Sequence, residues 1–269
     1  MKFALVEGER REAQPGLSGK CPDCGNAVIA KCGELRLRVW HWAHWKTHDC
    51  DRWSEPETEW HRAWKNHFPE YWQEISHPSE NGETHRADVK TDRGMVLEFQ
   101  HSFLRRDERV AREKFYQKMV WVVDGVRRKR DTAQFFALFD QATILNREPA
   151  LIVLVRWKEG ALLRDWEASN VPVYFDFGDD TLWRLNPCIP NGMTYLSRVP
   201  KTVFLNAHLK GQPFEELASA AVERAAARYS EQLRAVYAAL LQQAPRPQPL
   251  TGFERYWANL QRVRARRRF

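Results

Sequence analysis

No apolar run in this chain of 269 residues is long enough to cross a membrane as a helix. Nor do the first residues show a basic stretch followed by an apolar one, the mark of a signal segment, so a cytoplasmic protein with no membrane partner is expected. Cysteine is scarce. There are five, an odd number, with two in Cys21-Pro22-Asp23-Cys24, which argues against a disulfide framework and for metal binding. No internal repeat is present, which sets repeat architectures aside. Positive charge and tryptophan, by contrast, are plentiful. Forty-two Lys and Arg against thirty-five Asp and Glu leave a formal charge of +7, which suits a polyanionic partner without proving one. Of twelve tryptophans, Trp40, Trp42, Trp45, Trp53, Trp60 and Trp64 crowd one short region.

The stretch His85–Ser102 reads as two strands and a tight turn. Ala87-Asp88-Val89 enters, Asp92-Arg93-Gly94 turns the chain, and Met95–Gln100 leaves. A period of two puts Glu98 and Gln100 on one face, and Asp88 lies across the turn where it can meet Glu98. Two acidic side chains on adjacent strands, with the Phe99 carbonyl between, suit a hard cation such as Mg²⁺ or Mn²⁺. An Asp followed about ten residues later by Glu-x-Lys is the core of the PD-(D/E)XK nuclease pattern; here the triplet is Glu98-Phe99-Gln100. The bland alternative is a pair of solvated charges on an ordinary hairpin.

Residues 1–52 read as a small module. Lys2–Val6 is a short strand, and Cys21-x-x-Cys24-Gly25 has the shape of a zinc knuckle, its Gly easing a left-handed turn. Val28–Ala30 and Leu35–Val39 form a hairpin that arrives at His41-Trp42-Ala43-His44. Cys21, Cys24, His41 and His44 would then complete a closed, structural Cys₂His₂ zinc site, although His48 or Cys50 could replace a histidine. The neighbouring tryptophans supply the core that so small a module lacks.

A helix is expected over residues 54–67, N-capped by Ser54 with Pro56 close to N1, and it sets Glu57, His61 and Lys65 on one stripe. The core continues with a strand at Tyr71–Ile75, the hairpin, a helix over Leu104–Gln117 and the buried strand Lys118–Gly125. A helix over Thr132–Leu145 and a buried strand Leu151–Val155 complete residues 53–158. Residues 159–243 read as an extension: a hairpin of Val171–Phe177 and Thr181–Leu185, a strand at Lys201–Leu209, then a long helix after Pro213 whose apolar stripe packs on the protein's own sheets. Residues 244–269 form a proline-containing linker and a basic tail that could contact nucleic acid. The run Arg127-Arg128-Lys129-Arg130 could grip backbone phosphates.

Cys21-Pro-x-Cys24, His41-Trp-Ala-His44, Glu57-x-x-x-His61-x-x-x-Lys65, Arg86-Ala-Asp88-Val89 and Glu98-Phe-Gln100-x-Ser102, in this order and spacing, resemble the competence protein CoiA family from about residue 18 to residue 125. The resemblance implies an α/β fold: a PD-(D/E)XK, restriction-endonuclease-like core with a small N-terminal zinc-ribbon-like module, here followed by an α/β C-terminal extension. It implies a role in handling incoming DNA and in recombination. By position it places Glu57 and His61 on a helix facing the site, makes Asp88, Glu98 and Gln100 the hairpin triad, and turns Arg112 and Tyr116 toward the site to hold a phosphate. The expectation is a DNA nuclease with structural zinc and catalytic Mg²⁺ or Mn²⁺ at Asp88 and Glu98, with Glu57 helping to anchor the ion. Gln100 stands where the pattern has Lys and cannot supply its charge, which leaves His61 as a candidate acid/base group. The rival is a nuclease-fold accessory protein that binds DNA without cutting it.

Overall fold

Met119–Asp124 contains no exposed residue. It lies inside a nine-stranded sheet with a parallel strand on each side, which is why it is apolar toward both faces. The structure is a computed structural model describing residues 1–33, 39–45, 50–53, 55–78, 82, 84–189, 192–243 and 252–253. It is mixed α/β, with two sheets.

The first sheet is built from β1 (Phe3–Val6), β2 (Glu9–Glu12), β3 (Ser18–Lys20), β4 (Ala27–Lys31) and β5 (His41–His44), in the order β2-β1-β3-β4-β5. Trp42, 1 % exposed, fills its small core beside Cys21 and Val28 and donates its indole N–H to the Arg11 carbonyl at 2.8 Å. The expected strand at Leu35–Val39 lies almost wholly outside the described residues, as do Ser54, His48 and nearly all of the basic tail.

After α1 (Glu59–Lys65) the chain makes β6 (Gln73–Pro78), β7 (Thr84–Lys90), β8 (Val96–Gln100), α2 (Arg106–Tyr116) and β9 (Met119–Asp124). Next come α3 (Asp131–Ala137), β10 (Thr143–Asn146), β11 (Ile152–Arg156), α4 (Ala161–Trp166), β12 (Val173–Asp176), β13 (Thr181–Ile189), β14 (Met193–Pro200), α5 (Lys201–Lys210) and α6 (Phe214–Gln243). The sheet order is β10-β11-β14-β13-β12-β9-β8-β7-β6. Alternate residues of β9 feed two cores. Trp121 and Val123 pack with Tyr116, Phe135 and Trp166, whereas Val120 and Val122 pack with Trp64, Phe99 and Phe204.

Three expectations about the elements are corrected. The helix expected over 54–67 is confined to Glu59–Lys65, because Thr58 is the N-cap, its hydroxyl accepting the His61 N–H at 3.2 Å. The helix expected over Thr132–Leu145 stops at Ala137 and gives way, after a 3₁₀ turn, to the edge strand β10, where Thr143 and Ile144 pair with β11. Lys201–Leu209, expected as a strand, is helical. Phe204, Ala207 and His208 are buried at i, i+3 and i+4, Pro200 precedes the first turn, and Gly211 ends the helix at φ +61°.

The boundary expected near residue 158 is not a boundary of the sheet. β11 pairs with β14, while β12 pairs with β9, so strands from 173–200 lie between β9 and β11. The unit that contains both sheets runs from Met1 to Ala226. Within it α6 buries Val222 and Ala225 beside Ile152. Val222 and Ala225 belong to the stripe expected to pack on the protein's own sheets; in the second unit, Ala227–Phe269, the helix leaves Leu233, Val236, Tyr237, Leu240 and Leu241 exposed.

Candidate active site and metal centre

Pairing between β7 and β8 runs through Lys90↔Val96 and Val89↔Leu97 and then stops. One further step of that register sets Asp88 opposite Glu98. In the gap each carboxylate takes over a bond the ladder no longer makes. Glu98 Oε1 accepts the Asp88 N–H at 3.2 Å, and Asp88 Oδ2 accepts the Phe99 N–H at 2.9 Å. Glu98 is 4 % exposed and Asp88 is half-buried. Burial, with repulsion from Asp88, holds the Glu98 carboxyl well above the ordinary glutamate range, although Arg112 opposes this. Burial also raises Asp88, against the pull of Lys65 and His61.

Cations from both flanking helices compensate the acids. Arg112 of α2 places Nη1 3.3 Å from Glu98 Oε2 and also bonds Glu108 and, at 2.8 Å, the Trp53 carbonyl. Lys65 of α1, 1 % exposed, reaches Glu57 at 2.7 Å, Glu74 at 3.0 Å and Asp88 at 3.9 Å. Burial opposes its charge, but Glu74, Glu57 and Asp88 outweigh it and keep the amine protonated beyond its ordinary range. Glu74 follows Gln73, the partner of Val89, which sets it on β6 opposite Asp88 of β7. Glu74, Asp88 and Glu98 thus form a row across three strands, bracketed by Lys65 and Arg112.

The expected site residues therefore divide. Asp88, Glu98, Glu57, His61 and Arg112 line one cavity together with Lys65. Glu57 precedes α1 and is the counter-ion of Lys65 and Arg62. His61 is buried, with Nδ1 2.8 Å from the Thr58 hydroxyl and Nε2 3.7 Å from Glu55. Gln100 donates its amide to Glu55 and, at 3.2 Å, to the Ser102 carbonyl. Tyr116 is a core residue packed among Trp53, His77 and Phe115. Arg127 is bonded to the Ser102 carbonyl, and Arg128 pairs with Asp131 at 2.6 Å and Asp165 at 2.8 Å. As direct phosphate contacts, buried Arg112 and Tyr116 and the engaged Arg127 and Arg128 are poorly placed; Arg130 is exposed. Sequence reasoning missed Glu55 and Glu74, and it missed His101, whose Nδ1 lies 2.7 Å from Asp124 near the His61 ring.

The second site lies in the first sheet's module. Cys21, Cys24, His44 and Cys50 bring their ligand atoms within 4.8 Å of one another and could hold a metal such as zinc. Cys21 Sγ is 3.7 Å from Cys50 Sγ, and Cys24 Sγ is 3.3 Å from His44 Nε2. A tetrahedral zinc with Zn–S bonds of about 2.3 Å requires S···S separations of about 3.8 Å, so the donor set fits. His41 is not among the four; its Nδ1 lies 2.8 Å from the Val39 carbonyl. The reason is the strand. Residues three apart on β5 point to opposite faces, so His41 and His44 cannot both face the cysteines, and Cys50 completes the set. Among the described residues no other group of three or more His, Cys, Asp or Glu converges in this way, the acidic pair included.

The chain was compared with protein-family models, with curated proteins and with solved structures, and none matches.

Metal analysis of the purified protein is expected to find about one zinc per chain. Cys50→Ser should lose it, whereas His41→Ala should keep it. Retention of zinc by Cys50→Ser together with loss from His41→Ala would return the site to the Cys₂His₂ set.

Proposed function

We propose that this protein is a divalent-metal-dependent DNA nuclease of the PD-(D/E)XK type, similar to the CoiA family. The observation that carries the reading is the crossed pair Asp88 and Glu98 in the opened gap between β7 and β8, two ionisable carboxylates pressed together under burial. Such a pair is relieved by a cation between its members. The order α1-β6-β7-β8-α2-β9, an antiparallel meander followed by a helical crossover to a parallel strand, supports it as the arrangement that order predicts for such a core.

A divalent ion held by Asp88, Glu98 and the Phe99 carbonyl would acidify a water and stabilise charge on the scissile phosphate. The remaining work falls to the chain. Arg112 fixes the Glu98 carboxylate, Lys65 brings positive charge to within 3.9 Å of Asp88, and Gln100 can orient a water but not replace a cation. His61 offers an imidazole at the cavity wall for proton transfer or phosphate contact.

One observation favours the rival accessory role: no third carboxylate or histidine among the described residues brings a ligand atom within 4.8 Å of both acids, although Glu74 lies in their row, and Gln100 is tied to Glu55. Incubation with single-stranded, duplex and branched DNA separates the two. The nuclease reading expects cleavage of at least one form with Mg²⁺ or Mn²⁺ and none with chelator. Binding without cleavage under every metal condition would leave the accessory role standing.

A further inference from the structure

We propose that Asp51 is a positioning residue that ties the Cys/His metal centre to the acidic pair, so that the metal holds β7 in place. Asp51 follows the ligand Cys50 directly and is 6 % exposed. Among the described residues the bonds of its carboxylate run to β7 and to Trp53. Oδ1 lies 2.9 Å from His85 Nδ1 and accepts the Trp53 N–H at 2.9 Å, while Oδ2 accepts the Arg86 N–H at 2.9 Å. Two of these three partners belong to β7, and Arg86 stands two residues before Asp88.

A second link runs beside the first. Asp23, between the two cysteines of the knuckle, pairs with Arg86 and with Ser76 of β6, and Arg86 Nη2 lies 3.7 Å from Cys21 Sγ. A third reaches Glu98. The Trp53 ring stacks on His85 with centroids 3.3 Å apart, and the Trp53 carbonyl accepts from Arg112, the arginine that holds Glu98. These links thus reach the strand that carries Asp88 and the arginine that holds Glu98.

The physical consequence follows from what holds residues 50–53. With metal bound, the Cys50 thiolate fixes the segment covalently short of Asp51. With the metal removed, Cys50 itself is left with weak thiol contacts, such as the 3.7 Å Cys21–Cys50 approach, and the bonds of Asp51 and Trp53 lose their tie to the cluster. β7 is paired with β6 along one edge but with β8 at only two positions, so on the β8 side, at the end where that ladder has opened, Asp51 takes the Arg86 N–H. Loss of metal should loosen Asp88 without unfolding the sheet interior.

The proposal rests on the nuclease reading only for its catalytic consequence, and hydrogen exchange tests it independently. The full-length protein is compared with zinc, after chelation, and after zinc is restored, alongside zinc-loaded Asp51→Asn. Amides of residues 84–90 are expected to exchange about tenfold faster after chelation and in Asp51→Asn, with residues 119–124 unchanged. Restored zinc should recover protection in the natural protein, and Asp51→Asn should stay unprotected while still containing zinc. In cleavage assays the same variant should lose kcat with DNA affinity unchanged. Unaltered protection of 84–90 in both arms overturns the proposal, and if Asp51→Asn does not fold the chelation arm decides alone. Absence of cleavage in every form would count against the nuclease reading and leave the exchange result standing.

Discussion

Asp88→Asn is expected to lower Mg²⁺-dependent DNA cleavage by about a thousandfold, because stabilisation by a bound metal supplies several kcal/mol and ~1.4 kcal/mol is a factor of ten. The fold should survive. An asparagine keeps an oxygen to accept the Phe99 N–H that Asp88 Oδ2 takes at 2.9 Å. Glu98→Gln should be equally inactive, and it carries a second signature. The folded-state pKa of Glu98 is raised, so stability from the neutral acid is present below the ordinary glutamate range and is lost as pH rises through the raised value. Metal-free Glu98→Gln escapes that loss and should melt above the natural protein at pH 8, with the difference shrinking toward pH 4. Full activity in Asp88→Asn, with contaminating nuclease excluded, would sink the mechanism.

Glu74→Gln is expected to cost about 3–5 kcal/mol at pH 7, the usual penalty for breaking a buried ion pair, and so to lower Tm by roughly 10 °C. Glu74 does three things at once. It pairs with Lys65 at 3.0 Å, accepts the Lys2 N–H at 2.7 Å and accepts the Phe3 N–H at 3.0 Å. Burial works against its charge, but Lys65 and these backbone donors outweigh it and bring its pKa down to about 2. A depressed carboxylate stabilises the fold above the ordinary glutamate range and loses that contribution as pH falls toward about 2. Melting curves of the two proteins should accordingly converge in acid. Equal Tm values at pH 7 would mean that Glu57 and Asp88 suffice to hold Lys65.

The parts of this site that were legible from sequence are those where local pattern and geometry coincide. The tight turn between β7 and β8 sets the register that puts Asp88 opposite Glu98, and the continuous apolar run of β9 marks a strand buried on both faces. The Cys-x-x-Cys turn was legible for the same reason. What failed needed information from other elements. His41 and His44 have a spacing that suits zinc only if the segment is not a strand, and β5 is one. The alternation Val203, Leu205, Ala207, Leu209 imitates a strand, yet helix α5 is defined by which residues find cover, Phe204 and His208 among them. Glu74 and Glu55 carry no local mark, since each acts through a partner distant in the sequence or in another element. Arg127 and Arg128, expected to grip phosphates, pair instead with Asp165 of α4, a partner that no local pattern announces.

The central claim is that a divalent cation belongs between Asp88 and Glu98, and locating Mn²⁺ by anomalous scattering in crystals of the full chain tests it most directly. One peak is expected at about 2.1 Å from a carboxylate oxygen of each residue, with the Phe99 carbonyl in the same coordination shell, and it should vanish in Asp88→Asn. Saturating Mn²⁺ that leaves this gap without a peak, while the zinc ligands are occupied and the fold is intact, would contradict it.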